Sequence, residues 1–309
     1  MRIVVMGAGS MGCLLGGYLA RAEHEVFLVD PQTERTEAIR TGGIVVEGVG
    51  GDFDVEASAG PTYAANEPPD LVLVCVKAYD TAQAASDCAM FIGDHTEVLT
   101  LQNGVGNIER LAHTLPREQL LAGTTSLGAN LLAPGRVHHA GDGDTYIGNV
   151  YGERSERAEA IAALFTAARL PTSATADIHE LIWRKLAVNV GINALTAVLQ
   201  VRNGQLLAAE GATRVMEPAV AECVAVAEES GVSLDAEEVL ARVKDVARRT
   251  ASNRSSMLMD MLGGRRTEID AINGAVVRRG RELGVAVPVN EALTNLVHAL
   301  ESLRENREK

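Results

Sequence analysis

The chain is short of several things at once, and each shortage removes a class of function. Of its 309 residues only four are cysteines. Cys13, Cys75, Cys88 and Cys223 show no paired spacing, so they read as small reduced core residues and not as a disulfide framework or a thiolate metal centre. The seven histidines form no ligand pattern, and His138-His139 is most simply a strand pair with alternating faces; no metal site is expected. Basic charge is scarce: 28 Lys and Arg against 41 Asp and Glu leave a net charge of −13, which disfavours nucleic acid and anionic membranes as partners. No apolar run reaches the roughly 18 residues a membrane span needs. The N-terminus passes straight into a strand pattern with no secretory segment, which points to a soluble, cytoplasmic protein. Internal repeats and low-complexity tracts are also missing.

What is present suffices for two cores. The length exceeds what one core usually serves, and 47% of residues are hydrophobic. The chain opens Met-Arg-Ile-Val-Val-Met-Gly-Ala-Gly-Ser-Met-Gly: an apolar strand, then Gly7, Ala8, Gly9, Ser10, Met11 and Gly12, then a helical run over Leu14–Arg21. In that context Gly7 permits a tight turn, Gly9 lets a pyrophosphate approach the backbone, and Gly12 lets helix pack on strand. The helix start offers free N–H groups to the anion. A second strand, His24–Val29, ends at Asp30, whose carboxylate can accept hydrogen bonds from ribose hydroxyls and would repel a 2′-phosphate. NADH is therefore slightly favoured. Arg35 and Arg40 follow closely enough to reach a phosphate, and Asp30-Pro31-Gln32 could equally be an ordinary turn.

Apolar strands at Asp70–Val76 and Glu97–Leu101 flank a helical stretch over Thr81–Phe91, and this alternation predicts a parallel, doubly wound sheet with helices on both faces. Lys77 and Asn103 then lie just past strand carboxyl ends, where such sheets bind ligands; a solvated lysine and a turn asparagine are their plain alternatives. Ile44–Val55 interrupts the alternation as a hairpin insertion around Gly48-Val49-Gly50-Gly51, and Arg136–His139 and Tyr146–Gly148 read as further short strands. Beyond Pro171 the pattern turns to long helices, including Glu217–Gly231, Ala236–Met261 and Thr267–Leu283. The resulting division is a Rossmann-like dinucleotide-binding domain over 1–176 and an all-helical domain over 177–309, to which the resemblance given below adds a substrate or dimerisation role. A homodimer through the helical domain is the arrangement to expect where the late apolar faces are not used up within one chain.

Within that helical half, Lys185, Asn189 and Asn193 recur every four residues among Leu186, Val188, Val190, Ile192 and Leu195, which lines them along one stripe roughly 12 Å long. Burying unpaired polar groups costs several kcal/mol, so such a row needs partners and reads as the floor of a polar site. The structural alternative is asparagines satisfying backbone groups and a lysine stem reaching solvent. Two more polar clusters follow, at Asn253–Asp260 and at Arg266–Asp270. The second also fits helix capping.

Taken together, the glycine loop, Val-Lys-Ala-Tyr at 76–79, Gln-Asn-Gly-Val-Gly at 102–106, Gly-Thr-Thr-Ser at 123–126, Trp-Arg-Lys-Leu-Ala-Val-Asn with Ile-Asn-Ala-Leu-Thr-Ala within 183–197, Ser-Ser-Met-Leu at 255–258 and Thr-Glu-Ile-Asp-x-Ile-Asn-Gly at 267–274 resemble the ketopantoate reductases. The matches run in order over nearly the whole chain. The resemblance implies a Rossmann domain followed by a helical one, an active site in the cleft between them, and hydride transfer from NAD(P)H to the C2 carbonyl of a small 2-keto acid. It implies Lys185 as general acid with Glu268 as its carboxylate partner, Asn103, Asn189, Asn193 and Ser256 holding substrate, and Lys77 and Asn103 near the cofactor. The family usually prefers NADPH and often carries a basic residue where Asp30 and Pro31 stand. Two alternatives follow: an NAD-linked D-2-hydroxyacid dehydrogenase acting on a branched-chain or aromatic 2-keto acid, and a non-catalytic dinucleotide sensor. Retention of Lys185, Asn189 and Glu268 together argues against the sensor.

Overall fold

A computed structural model describes residues 1–64, 67–151 and 156–305. Two compact units emerge: one comprises Met1–Gln102 and Asn107–Ile178, the other Asn103–Gly106 and His179–Lys309.

The first unit begins β1 (Arg2–Met6), α1 (Ser10–Arg21), β2 (Glu25–Val29), α2 (Thr33–Gly42), β3 (Ile44–Gly48), β4 (Phe53–Val55), β5 (Ser58–Gly60), β6 (Leu71–Val74), α3 (Thr81–Cys88), β7 (Glu97–Thr100) and α4 (Asn107–Ala112). It continues β8 (Leu120–Thr125), β9 (Gly128–Ala133), β10 (Arg136–Gly141), β11 (Thr145–Asn149), α5 (Glu156–Ala167) and β12 (Thr172–Ala174). Eight strands form one sheet in the order β12-β11-β8-β7-β6-β1-β2-β5. Every pairing in it is parallel except β11 with β8. Ile3, Val5, Leu71, Leu73 and Leu99 are fully buried, as expected of central parallel strands covered by helices. The strand-helix alternation is thus the doubly wound sheet that the sequence implies.

The Ile44–Val55 insertion is an antiparallel hairpin, β3 with β4, but it does not stand alone. It joins β10 and β9 in a second, four-stranded sheet of order β4-β3-β10-β9. That sheet lies on α1, where the Cβ of an alanine at Gly17 would meet Val46 and Ile44, and Tyr18 stacks edge-on against Phe53 and His139. His139 is buried and His138 only partly so, the alternation of a strand pair.

The second unit is helical: α6 (Ile178–Leu199), α7 (Gln205–Ala208), α8 (Glu210–Glu229), α9 (Ala236–Arg249), α10 (Ser256–Leu262), α11 (Asn273–Leu283) and α12 (Pro288–Glu305). A helix apolar all round belongs in a core, and α6 supplies Leu186, Ala187, Val190, Ala194 and Ala197 to one cluster with Met216, Val220 and Val243. Gly191 sits 2.7 Å, at its would-be Cβ, from a Val243 methyl, so α6 and its neighbours touch almost backbone to side chain.

Two predicted helices are corrected. Ala236–Met261 is not one helix: α9 stops at Arg249, and the chain turns so that the Asn253 and Ala251 carbonyls accept from Asn203 and Gly204 N–H before Ser255 caps α10. Helical periodicity runs on through this stretch, yet those tertiary bonds and the cap outcompete it. Likewise Thr267 does not start a helix. Its Oγ1 accepts from Ile269 N–H, a short 3-10 turn covers Ile269–Ala271, and α11 begins only at Asn273.

Candidate active site

Each unit carries some of the candidate site residues. In the first, β1 runs into a turn at Gly7, which has φ +104° and gives its N–H to Val29 O at 2.7 Å. A methyl at Gly12 would collide with Gly7 O, so strand and helix can approach this closely only with glycine there. α1 starts at Ser10, with Ser10 and Met11 in its first turn and Gly9 at its cap. No side chain caps it, and a Cβ at Gly9 would meet nothing within 4 Å. An uncapped helix start facing open space fits a pyrophosphate. These residues therefore suit a dinucleotide, with Gly7, Ala8, Gly9, Ser10, Met11 and Gly12 as its cradle.

Asp30 follows β2 and is only 4% exposed. Its Oδ2 accepts from Ala8 N–H at 2.9 Å and from Arg35 at 3.1 Å, and its Oδ1 from Gln32 N–H at 2.9 Å. The carboxylate thus ties the glycine loop to the start of α2, a structural duty the sequence did not reveal. Arg40 is exposed and paired with Glu37 at 2.6 Å. Lys77, partly buried, stands just beyond β6 and starts a short 3-10 turn, accepting Asp80 N–H at its carbonyl.

In the second unit one continuous helix, α6, carries Lys185, Asn189 and Asn193. Lys185 and Asn189 are partly buried and Asn193 is buried. Burial lowers the Lys185 ammonium from 10.5 to about 8, and the negative charge of Glu268 opposes that fall, the pattern of a buried lysine under the influence of a carboxylate. Glu268 is 8% exposed and sits at the head of the 3-10 turn before α11. Asn103 is brought to the same segment. The Val105 N–H bonds Ala271 O at 3.3 Å, and Gly104, with φ +88°, lies so close that a methyl there would strike that carbonyl. Asn103 and Glu268 thus stand on two short segments clasped together.

The row extends one step further than predicted. Thr196, three residues past Asn193, places Oγ1 2.9 Å and 3.0 Å from the Ile192 and Asn193 carbonyls and 2.7 Å from Ser255 Oγ. Ser255 is buried and accepts Leu258 N–H as the cap of α10, whereas Ser256, the predicted substrate contact, is exposed at the first helical position. Thr196 and Ser255 lie within motifs that the sequence shows, at 183–197 and 255–258, but the sequence assigns neither a role; for Thr196 the three-residue step from Asn193 is the available signal. Among the described residues no group of three or more His, Cys, Asp or Glu is arranged to hold a metal, and no helix is long and apolar enough to cross a membrane.

Residues 3–152 match the family described as "Ketopantoate reductase PanE/ApbA", and residues 177–301 match "Ketopantoate reductase PanE/ApbA C terminal". The chain is 45% identical over 300 residues to the 2-dehydropantoate 2-reductase of Halobacterium salinarum, covering 96% of this chain and 98% of that one. Among solved structures it is similar to a PanE/ApbA family ketopantoate reductase from Ralstonia eutropha JMP134, with TM-score 0.91 and 36% identity over 99% of this chain and 100% of the other. It is also similar to a D-mandelate dehydrogenase solved with NADH and anilino(oxo)acetate, with TM-score 0.94 and 30% identity over 99% of each chain.

Proposed function

The chain belongs to the ketopantoate reductase family, and from that premise we propose that it reduces the C2 carbonyl of 2-dehydropantoate to the alcohol of pantoate, a step of pantothenate biosynthesis. The observation that carries this reading is Lys185, a lysine in an apolar helix held near neutrality by burial with Glu268 as its counter-charge. Bound NAD(P)H supplies the hydride. As negative charge develops on the carbonyl oxygen, the Lys185 ammonium stabilises it and gives it a proton. Glu268 keeps that ammonium charged and accepts a bond from a substrate hydroxyl. Asn103, Asn189, Asn193 and Ser256 orient a small carboxylate without adding charge. Gly7 to Gly12 and Lys77 serve the cofactor, and Asp30 tilts the preference towards NADH while the family default is NADPH. A cytoplasmic location and a homodimer formed by the helical unit complete the proposal.

A second reading, a D-2-hydroxyacid dehydrogenase for a bulkier or aromatic keto acid, is favoured by the likeness to D-mandelate dehydrogenase. Initial rates with ketopantoate, 2-ketoisovalerate and phenylpyruvate, each with NADH and NADPH, separate the two by cofactor absorbance. Ketopantoate should give the highest kcat/KM. A higher value with phenylpyruvate installs the second reading, and no turnover with any of the three removes both.

A further inference from the structure

We infer that the first unit carries a second small-molecule site, apart from the glycine loop, whose charges suit a small zwitterion of the amino-acid class. Its seat is a hollow of about 430 Å³ lined by Tyr18, Gly50, Asp142, Asp144, Arg169 and Pro171, within the roughly 300–1,000 Å³ of small-molecule sites. Four segments meet there: the end of α1, the turn between β3 and β4, the loop between β10 and β11, and the link from α5 to β12. Tyr18 lies in the same helix as Ser10 but about 12 Å further along its axis, so the hollow is not the nucleotide cradle. Its wall is closely built. Tyr18 is 2% exposed, and its hydroxyl lies 3.0 Å from Nδ1 of His139, itself 3% exposed. A Cβ at Gly50 would come within 2.4 Å of that hydroxyl, so the turn closes over the phenol only with glycine there. The other ring nitrogen, His139 Nε2, is buried without a hydrogen-bond partner among the described residues, and Asp142 Oδ1 stands 3.5 Å away, too far for a good hydrogen bond. Buried polar groups are seldom left unpaired, which marks this wall as incomplete without a ligand.

The charges around the hollow set the class of that ligand. Asp142 faces His139, which leaves Asp144 and Arg169. Both are exposed, and among the described residues neither side chain has a hydrogen bond or an ion pair. They line one hollow with opposite charge and do not pair with each other. Burial and the charge of Asp142 push the Tyr18 hydroxyl above its usual range, while Arg21 and Arg169 pull it back, so negative and positive groups both act on the phenol. The aspartates repel a simple anion, and the arginine repels a simple cation. A molecule that holds both charges apart satisfies both sides, its carboxylate on the guanidinium fork of Arg169 and its ammonium against Asp144.

Saturation-transfer NMR on the whole protein tests this, with L-alanine and γ-aminobutyrate as zwitterions of short and long charge separation, and butyrate and propylamine as probes carrying one charge each. At least one zwitterion should bind with a Kd in the millimolar range, and both singly charged probes about 10-fold more weakly or less well still, since each charged contact is worth that order. Arg169→Gly removes the guanidinium at a φ of +64°, which glycine adopts without strain. It and Asp144→Asn should each weaken the zwitterion by about 10-fold and leave the reductase rate unchanged. Lys185→Ala should leave the zwitterion constant unchanged, which separates this hollow from the keto-acid site. Silence from both zwitterions up to about 50 mM, equal binding by the singly charged probes, or a signal that Lys185→Ala abolishes and Arg169→Gly does not would each overturn the inference.

Discussion

A lysine that titrates near neutrality makes a general acid whose failure can be watched. With its ammonium at about 8, Lys185 is about nine-tenths protonated at pH 7 and about one-tenth at pH 9. Reduction needs the protonated form, so kcat/KM for the keto acid should hold between pH 6 and 7.5 and then fall towards tenfold per pH unit above 8. Oxidation of the alcohol needs the neutral amine and should rise through the same midpoint. Glu268 is the group that opposes the effect of burial on Lys185, and an opposite charge at close range is worth about 1 to 3 pH units. Glu268→Gln should therefore move the limb down to about pH 7 or below, in addition to any loss of rate. Lys185→Ala should abolish the limb and cost at least about 100-fold in turnover. Initial rates by NADPH absorbance from pH 6 to 10, with saturating cofactor, read all three enzymes. A flat wild-type profile, or a limb that stays at the same pH in Glu268→Gln, refutes the assignment of Lys185 as the proton donor.

The two adjacent serines should part company. Ser255→Ala removes the cap of α10 and the Thr196 partner and should cost about 1–2 kcal/mol in denaturant titration, whereas Ser256→Ala should leave the midpoint within about 0.5 kcal/mol and raise KM for the keto acid. The reverse pattern would return the structural duty to Ser256. Gly104→Ala should lower kcat/KM by about 10- to 100-fold, because a misplaced substrate-holding group costs that order and the methyl must displace the Ala271 carbonyl; steady-state rates alongside a melting curve check it.

The parts of this molecule that sequence reveals are those governed by near neighbours. β1, the glycine turn and α1 follow from an apolar run, three glycines and a helical period, and the Ile44–Val55 hairpin follows from its turn. Its sheet partner does not: Val45 pairs with Arg136, and nothing in either short strand names the other. The α6 row is readable because one helix sets its geometry, and Thr196, three residues past Asn193 where the row steps by four, shares that face by the other helical spacing. What separates Ser255 from Ser256 is a single residue of helical phase, fixed only when α10 meets α6. Asp30 shows the same limit, since a carboxylate at a strand end looks identical whether it faces a ribose or an arginine.

The loop Asn103–Gly106 keeps company with the helical unit although the residues on both sides of it belong to the other. Its anchor, the Ala271 carbonyl, is made by the ribosome only after most of the chain has emerged, about 10–30 s later at ordinary rates of synthesis. Until then the Val105 N–H lacks that acceptor. The nucleotide cradle can therefore mature early on the nascent chain, while substrate recognition awaits nearly the whole polypeptide, and a release product ending before residue 271 would bind cofactor yet turn nothing over.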